Sequence, residues 1–385
     1  MPLQTGIDRL LSDPPAALRS GRLGWVTNRA ALTRDFRFGA AAAQQAGLPI
    51  VALFAPEHGL HLDLPAGADV PQQREPRTGL PIHSLYGADA VALAPLLRGL
   101  THVVIDLPDV GVRFFTYAAT MLEVMRAAAE AGVPVTVLDR PNPLGGDVVA
   151  GPRLSAELVS KIGPLEGWPI RHGMTMGEIA HFAQAVHLPH LDLRVVRLRG
   201  WSRGTWFPGW RRAWVPPSPN LPHWENALAY PGTALLEGTN LSEGRGTPNP
   251  FLLVGAPWLA GEVLSQTLNR MGLPGVRFRP VRFRPCRGKH AGEVCDGVQV
   301  HITAPRRFRS VRTGLAILVA ARDQQPQRLT FLKHQGRYFF DLLLGETQTR
   351  ARLQAGDTFH DLIAPWPAQE AAFQAQRRAY WLYPE

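Results

Sequence analysis

The sequence predicts an α/β fold: a mostly parallel sheet with helices on both faces, followed by a smaller second domain. Three observations carry this. A strand, a polar loop and a helix recur in order from Leu23 to Leu138, the pattern of a parallel sheet with crossover helices. The expected strand ends carry polar residues: Asn28, Glu57, Asp106 with Asp109, and Asp139 with Arg140. The chain has 385 residues, too many for one typical core and enough for two domains.

The elements follow from local pattern. Leu23–Asn28, Pro49–Ala55, Thr101–Leu107 and Val133–Leu138 are short apolar runs bounded by turn residues and read as buried strands. Residues 38–46 are Ala-rich and helical, as are 88–97. From Phe114 to Ala131 the apolar positions Phe114, Ala118, Met121, Leu122, Met125 and Ala129 keep helical spacing. A polar loop is expected from Glu57 to about Tyr86. Met174–Val186 is a helix, with Thr175 and Glu178 spaced as a capping box. Leu191–Leu198 is a strand, and residues 201–222, rich in Trp and Pro, are loop-dominated. Further on, Leu259–Met271 and Ser310–Ala321 are helices and Val276–Phe283 and Gly297–Thr303 strands. The expected boundary divides the chain into residues 1–228 and 229–385.

Composition narrows the function classes. The chain is 45% hydrophobic and 19% charged, with a formal charge of +10 and a pI near 10.4. Lysine is nearly absent, so an Arg-for-Lys habit accounts for much of that charge; the alternative is an anionic partner. Arg277, Arg279, Arg282 and Arg284 alternate with apolar residues, as a strand with a solvated Arg face does, so no nucleic-acid partner is expected. Two cysteines, Cys286 and Cys295, form no disulfide framework and no zinc signature; one bridge or two free thiols both fit. No apolar run is long enough to span a membrane and no signal peptide is visible. The expectation is a cytoplasmic protein, or a secreted or periplasmic one whose leader was removed. There is no phosphate loop, no Gly-x-Gly-x-x-Gly after the first strand and no Gly-x-Ser-x-Gly elbow. No cofactor and no membrane partner is expected.

The chemistry centres on Pro56-Glu57-His58-Gly59, where a buried strand stops at a proline and an acid and an imidazole follow. In open α/β sheets, ligands bind beyond the carboxyl ends of the strands. Glu57 is therefore the expected acid/base, with His58 tuning it or touching the substrate. A metal site is the alternative, from Glu57, His58, His61 and Asp63 with Asp106 and Asp109, but the spacing matches no metal motif and no metal is expected. Arg113 and Tyr117 share a helix face, as an anion or hydroxyl clamp or as an ion pair that stiffens the loop. Arg140 and Asn142 stand on a turn fixed by Pro141 and Pro143. Arg171 and His172 precede a helix; Asn220 tips another proline-fixed turn. The loop Glu237-Gly238-Thr239-Asn240-Leu241-Ser242-Glu243-Gly244-Arg245-Gly246 alternates small residues with acid, amide and base. Among the tryptophans, one or two are expected to line a sugar site and the rest to pack.

Taken in order, these motifs resemble a known family, the exo-acting β-N-acetylmuramidases of peptidoglycan recycling, long grouped as a domain of unknown function. The residues that carry the resemblance are Val26-Thr27-Asn28, Phe54-Ala55-Pro56-Glu57-His58-Gly59, Ser84-Leu85-Tyr86-Gly87, Asp109-Val110-Gly111 with Arg113-Phe114 and Thr116-Tyr117, Leu138-Asp139-Arg140-Pro141-Asn142-Pro143, Arg171-His172-Gly173-Met174-Thr175, Pro217-Ser218-Pro219-Asn220, Tyr230-Pro231-Gly232, and the Glu237–Thr247 loop. It departs at Leu107-Pro108, where the family usually has Gln or similar before Asp109. The resemblance implies a Rossmann-like N-terminal domain, an α+β C-terminal auxiliary domain and a site in the cleft between them. It implies release of N-acetylmuramic acid from the non-reducing end of β-1,4-linked peptidoglycan fragments, with Glu57 as catalytic acid and muramyl saccharides as partners. A glycosidase usually has a second carboxylate; Asp109, Glu237 and Glu243 are the candidates, unless the substrate's own acetamido group attacks. Arg113, Arg140, Arg171 and Arg245 are candidates to pair with the lactyl carboxylate, and Asn28, Tyr117, Asn142, His172, Asn220 and Asn240 to contact the sugar. A non-catalytic muramyl-glycan-binding protein and a metal-dependent hydrolase of an anionic small molecule are the competing readings.

Overall fold

A computed structural model describes residues 2–65 and 73–385. The middle of the polar loop expected after Glu57 lies outside them. Helix α1 (Gly6–Ser12) precedes β1 (Leu23–Thr27), and α2 (Gly39–Gln45) leads to β2 (Ile50–Ala55). Strands β3 (Gln73–Arg74) and β4 (Pro81–Ser84) come next, then α3 (Ala90–Leu97), β5 (His102–Asp106), α4 (Tyr117–Ala131), β6 (Val135–Leu138), α5 (Met176–His187) and β7 (Leu193–Val196). The sheet order among the described residues is β3-β4-β2-β1-β5-β6-β7, with every pairing parallel except β3 with β4. This is the Rossmann-like parallel layout expected. Strands β1, β5 and β6 are buried along their whole length, as strands covered on both faces are.

Alternation along the strands sorts the core into two layers. Trp25, Leu53, Val104 and Leu138 point to the side of α1 and α2, where they pack with Ile7, Leu10 and Ala43. Val26, Phe54, Ile105 and Val137 point the other way, against Leu93, Met121 and Ile179 of α3, α4 and α5. Helix α5 starts as expected: the Thr175 hydroxyl accepts from the Glu178 N–H, and the Glu178 carboxylate accepts from the Thr175 N–H.

The second half begins with α6 (Trp224–Thr233), and the expected boundary at 228/229 falls inside this helix. There follow β8 (Leu253–Ala256), α7 (Gly261–Arg270), β9 (Val276–Phe283), β10 (Cys295–Ile302) and α8 (Ser310–Gln324). A hairpin of β11 (Lys333–His334) and β12 (Arg337–Tyr338) runs into α9 (Phe339–Leu344); α10 (Gln348–Ala355), α11 (Phe359–Ile363) and α12 (Trp366–Arg377) close the chain. Strands β8, β10 and β9 form an antiparallel sheet in that order. Strand β9 is its edge, which tolerates Pro280; Arg277 and Arg279 are exposed on one face, as their alternation predicts, and Arg282 is exposed on the other. Cys286 and Cys295 are free thiols, the first exposed and the second buried. One apolar cluster runs from the parallel sheet through α6 and α8 to α9. Among the described residues no helix is long and apolar enough to cross a membrane.

Helices α6 and α8 touch backbone to backbone through two glycines. A Cβ on Gly232 would lie 1.8 Å from the Ser310 carbonyl oxygen, and one on Gly314 2.1 Å from that of Gly232. Neither obstacle is a side chain that can swing away. Gly→Ala inside a helix gains about 1 kcal/mol of propensity, but forcing this crossing apart outweighs it. Gly314→Ala is expected to lower the unfolding free energy by about 3 kcal/mol, read by denaturant unfolding. A variant as stable as wild type would disprove the close crossing.

Candidate active site

Strand β2 delivers Glu57 to the carboxyl edge of the sheet through a tight turn. His58 and Gly59 both take left-handed backbone there, at φ 71° and 72°, and the Gly59 N–H returns to the Pro56 carbonyl at 3.0 Å. A histidine in that region is uncommon, and its ring is held on both sides. Nδ1 lies 2.9 Å from the Leu64 carbonyl oxygen, which can only accept, so Nδ1 carries the proton. The Ser218 hydroxyl then donates to Nε2 at 3.1 Å. Burial holds His58 below the usual histidine range, so the ring is neutral near pH 7. Both nitrogens are thus committed to protein partners, and His58 positions the turn next to Glu57.

The next segment of the sheet edge meets Glu57. The Thr116 hydroxyl donates to Glu57 Oε2 at 2.7 Å. Tyr117, the first residue of α4, donates to the Pro217 carbonyl at 2.7 Å, with its hydroxyl 3.4 Å from the Glu57 backbone oxygen. Burial raises the Tyr117 phenol far above its ordinary value, so it remains a neutral donor. These contacts tie the turn after β2, the start of α4 and the Pro217-Ser218 segment into one frame.

Glu57 lines a cavity of about 1010 Å³ between the parallel sheet and the C-terminal half. Its walls are aromatic. Tyr230 packs edge-on to Phe114 (5.2 Å between centroids) and Phe251 (4.8 Å), and Phe115 joins them. Among the described residues no tryptophan lines it; its aromatic side chains are Phe and Tyr. Across the cavity stands Glu237, paired to Arg245 at 2.9 Å. Burial, reinforced by the nearby Glu243 and Glu57 charges, pushes Glu237 up to about 7 against the pull of Arg245. The loop that carries it is braced from outside the cavity by Lys289, whose ammonium donates to the Leu236 and Thr239 carbonyls and pairs with Glu243 at 2.9 Å.

The structure gathers Glu57, His58, Asn220, Glu237 and Arg245 around this cavity and places the other sequence candidates elsewhere. Asp109 is buried outside it: it accepts from the Gly111 N–H at 2.6 Å, faces His172 at 3.6 Å and is pushed up by burial to about 7. The His172 ring accepts from the Met174 N–H, and burial lowers it to about 3. Asn28 accepts from the Ala30 N–H and closes the turn after β1. Three of the four candidate arginines are used as braces. Arg113 donates to the Pro152, Trp168 and Leu343 carbonyls, Arg140 chelates Asp106, and Arg171 donates to the Leu144 carbonyl while covering the Trp206 ring. Asn142 bridges Met174 and Leu144, and Asn240 is tied to the backbone of Arg328 and Thr330. Glu243 is spent on Lys289. Among the described residues no group of three or more His, Cys, Asp or Glu side chains is placed to hold a metal ion.

Sequence reasoning missed Thr116, Ser218 and the aromatic walls as site residues, although they lie in the motifs quoted above. It also missed the β11–β12 hairpin, whose Lys333, His334 and Arg337 line the cavity. A signal for the hairpin existed: Gln335 and Gly336 have φ 50° and 80°, the two left-handed residues of a type I′ turn, which an X-Gly pair announces.

Two acids lining one aromatic-walled, saccharide-sized cleft at the carboxyl edge of a parallel sheet form an arrangement suited to an α/β hydrolytic enzyme. The comparisons agree. The family model described as "Exo-beta-N-acetylmuramidase NamZ, N-terminal" matches residues 23–225, and its C-terminal counterpart matches 228–383. The chain is 39% identical to the peptidoglycan β-N-acetylmuramidase NamZ of Bacillus subtilis, over 99% of this chain and 91% of that protein. Two crystal structures of DUF1343 family proteins from Bacteroides fragilis superpose with TM-scores of 0.90 and 0.81. They are 30% and 28% identical and cover 99% and 100% of both chains, respectively. The chain belongs to the NamZ family of exo-β-N-acetylmuramidases.

Proposed function

We propose that this chain is a glycoside hydrolase that releases N-acetylmuramic acid from the non-reducing end of β-1,4-linked peptidoglycan fragments, with Glu57 as general acid/base. The supporting observation is that two carboxylates, Glu57 from the parallel sheet and Glu237 from the C-terminal half, line one cavity of about 1010 Å³. Family membership supports exo action and the muramyl substrate. Glu57 gives a proton to the leaving glycosidic oxygen and, as a carboxylate, then draws one from water. Thr116 holds one of its oxygens throughout. Glu237 is the partner carboxylate, in preference to Asp109, which lines a separate cleft beyond β5, and to Glu243, which pairs with Lys289 outside the cavity. Arg245, alone among the four arginine candidates in lining the cavity, pairs with Glu237 and offers the remaining edge of its guanidinium to the lactyl carboxylate. Tyr230 and Phe251 present apolar faces to the sugar ring.

The test is product analysis on a disaccharide with N-acetylmuramic acid at its non-reducing end, followed in time for anomeric form. Free N-acetylmuramic acid should accumulate, and its first-formed anomer reports whether configuration is kept or inverted. A chain that binds the disaccharide and releases nothing on prolonged incubation would not be this enzyme.

A further inference from the structure

The strap from Trp206 to Asn220 has a cavity on each side. Ser218 and Asn220 line the Glu57 cavity, while Trp210, Trp214 and Pro217 line a second cleft of about 230 Å³. This cleft lies past the carboxyl ends of β1, β5 and β6, between the strap and the loop of residues 30–36. The sheet runs from β1 to β2 on one side and to β5 on the other, so the cleft is at the switch point where open α/β sheets bind ligands. It adjoins a further hollow of about 540 Å³, with Arg34, Trp210, Arg211 and Arg212 lining both. The cleft and the hollow together fall in the range of roughly 300–1,000 Å³ usual for ligand sites.

Four guanidinium groups line the cleft, and two are accounted for. Arg140 chelates the buried Asp106, and Arg212 pairs with Asp8. Arg34 and Arg211 are exposed, and among the described residues their side chains have no hydrogen-bonding or ionic partner. Beside them are flat apolar faces. Phe36 is 62% exposed on left-handed backbone, a conformation uncommon for a bulky residue. Trp214 is locked in place by its indole N–H, which donates to the Leu221 carbonyl at 2.9 Å, and by Phe207 packed edge-on at 5.0 Å. A guanidinium group recognises a carboxylate through two parallel N–H donors, and aromatic faces take the apolar face of a pyranose ring. Phe36, Arg34 and Arg211 contribute nothing to the core, whereas Trp214 packs one side against the main apolar cluster and lines the cleft with the rest.

We infer that this cleft is a second, non-catalytic saccharide site that holds carboxylate-bearing sugar units of extended muramyl glycan beside the Glu57 cavity. The inference rests on the muramyl reading of the substrate given above. It makes the enzyme's affinity for long strands exceed its affinity for single units, with Arg34 and Arg211 binding lactyl carboxylates and Phe36 and Trp214 carrying the rings.

The test compares wild type with the double variant Arg34→Ala/Arg211→Ala on two substrates: soluble, uncross-linked muramyl glycan strands and a chromogenic β-N-acetylmuramide. The expected result is a KM on strands raised about tenfold, with kcat on strands, both constants on the chromogenic substrate and the melting temperature unchanged. An unchanged KM on strands overturns the inference, and so does an equal loss on both substrates. An uncharged N-acetylglucosamine tetrasaccharide that competes with strand binding as well as a muramyl tetrasaccharide does would overturn the carboxylate assignment. If wild type turns over neither substrate, the reading of the activity fails. Direct binding of strands then decides the cleft by itself: weakened binding in the double variant upholds it, and equal binding removes it.

Discussion

Glu57→Gln is expected to lower kcat on a β-N-acetylmuramyl disaccharide by about 10²- to 10⁴-fold, the usual contribution of general acid–base catalysis, with the thermal unfolding curve near wild type. The substitution is isosteric. The amide oxygen still accepts the Thr116 hydroxyl that now meets Oε2, and the turn is fixed by His58, Leu64 and Ser218 rather than by the Glu57 side chain. What is lost is the ability to give and take a proton. The size of the loss should therefore follow the leaving group. A sugar alkoxide is a poor leaving group and needs the proton; an activated aryl oxide hardly does. The defect on the disaccharide should exceed the defect on an activated aryl β-N-acetylmuramide, because the aryl substrate bypasses the acid step. Near-wild-type turnover on both substrates would remove Glu57 from the mechanism, and an equal loss on both would assign it to binding or to water activation rather than leaving-group protonation.

Much of the sheet was legible because its strands are continuous apolar runs that stop at polar residues. Those from Leu23, Ile50, His102 and Val135 appear within a residue or two of expectation. Strand β4 was not legible. Pro81-Ile82-His83-Ser84 has one strongly apolar residue and lies in a segment that reads as polar loop, yet it pairs along β2 and extends the sheet. Its strand character comes from the waiting edge of β2, a tertiary effect that local pattern does not record. Helix α6 was obscured by Pro231, which the helix accommodates where Gly232 meets α8. At the site, Glu57 could be placed because an acid at the end of a buried strand has few structural uses. The arginines could not. Arg113 and Arg171 look like anion clamps in sequence, but the structure uses them to satisfy buried carbonyl oxygens. An arginine's role is set by whichever acceptors the fold brings to it, from residues as distant in sequence as Leu343. Glu237 and Glu243 lie six positions apart in one loop and share a partner in Arg245; only the path of that loop turns one toward the cavity and the other toward Lys289.

The Glu237–Arg245 pair gives the second large expected effect, and its sign can be worked out. Burial pushes Glu237 up to about 7, above the ordinary glutamate value of about 4.3. Between those two values the folded protein holds a proton that the unfolded chain has released. Stability from this group is therefore fully present at low pH and is lost as pH rises through about 7. If Glu237 acts as a carboxylate, activity runs the opposite way, and kcat/KM should rise with pH through the same region. Glu237→Gln should abolish this acidic limb and lower kcat/KM, while flattening the loss of stability that wild type shows as pH rises from the ordinary glutamate value to about 7. Arg245→Ala should act differently. With its cation gone, Glu237 loses the main influence that favours its charged form, so the limb should persist but move to higher pH. Glu243 loses its 3.7 Å contact with Arg245 but keeps Lys289 at 2.9 Å, so the larger electrostatic change falls on Glu237 and the substrate. Removing one member of a largely buried ion pair typically costs about 3 kcal/mol, so Arg245→Ala should also melt lower. Arg245→Lys should restore part of the charge but not the planar fork, recovering stability more fully than KM for a substrate bearing the lactyl carboxylate. An acidic limb unchanged in both Glu237→Gln and Arg245→Ala would show that neither residue takes part in the titration that governs catalysis.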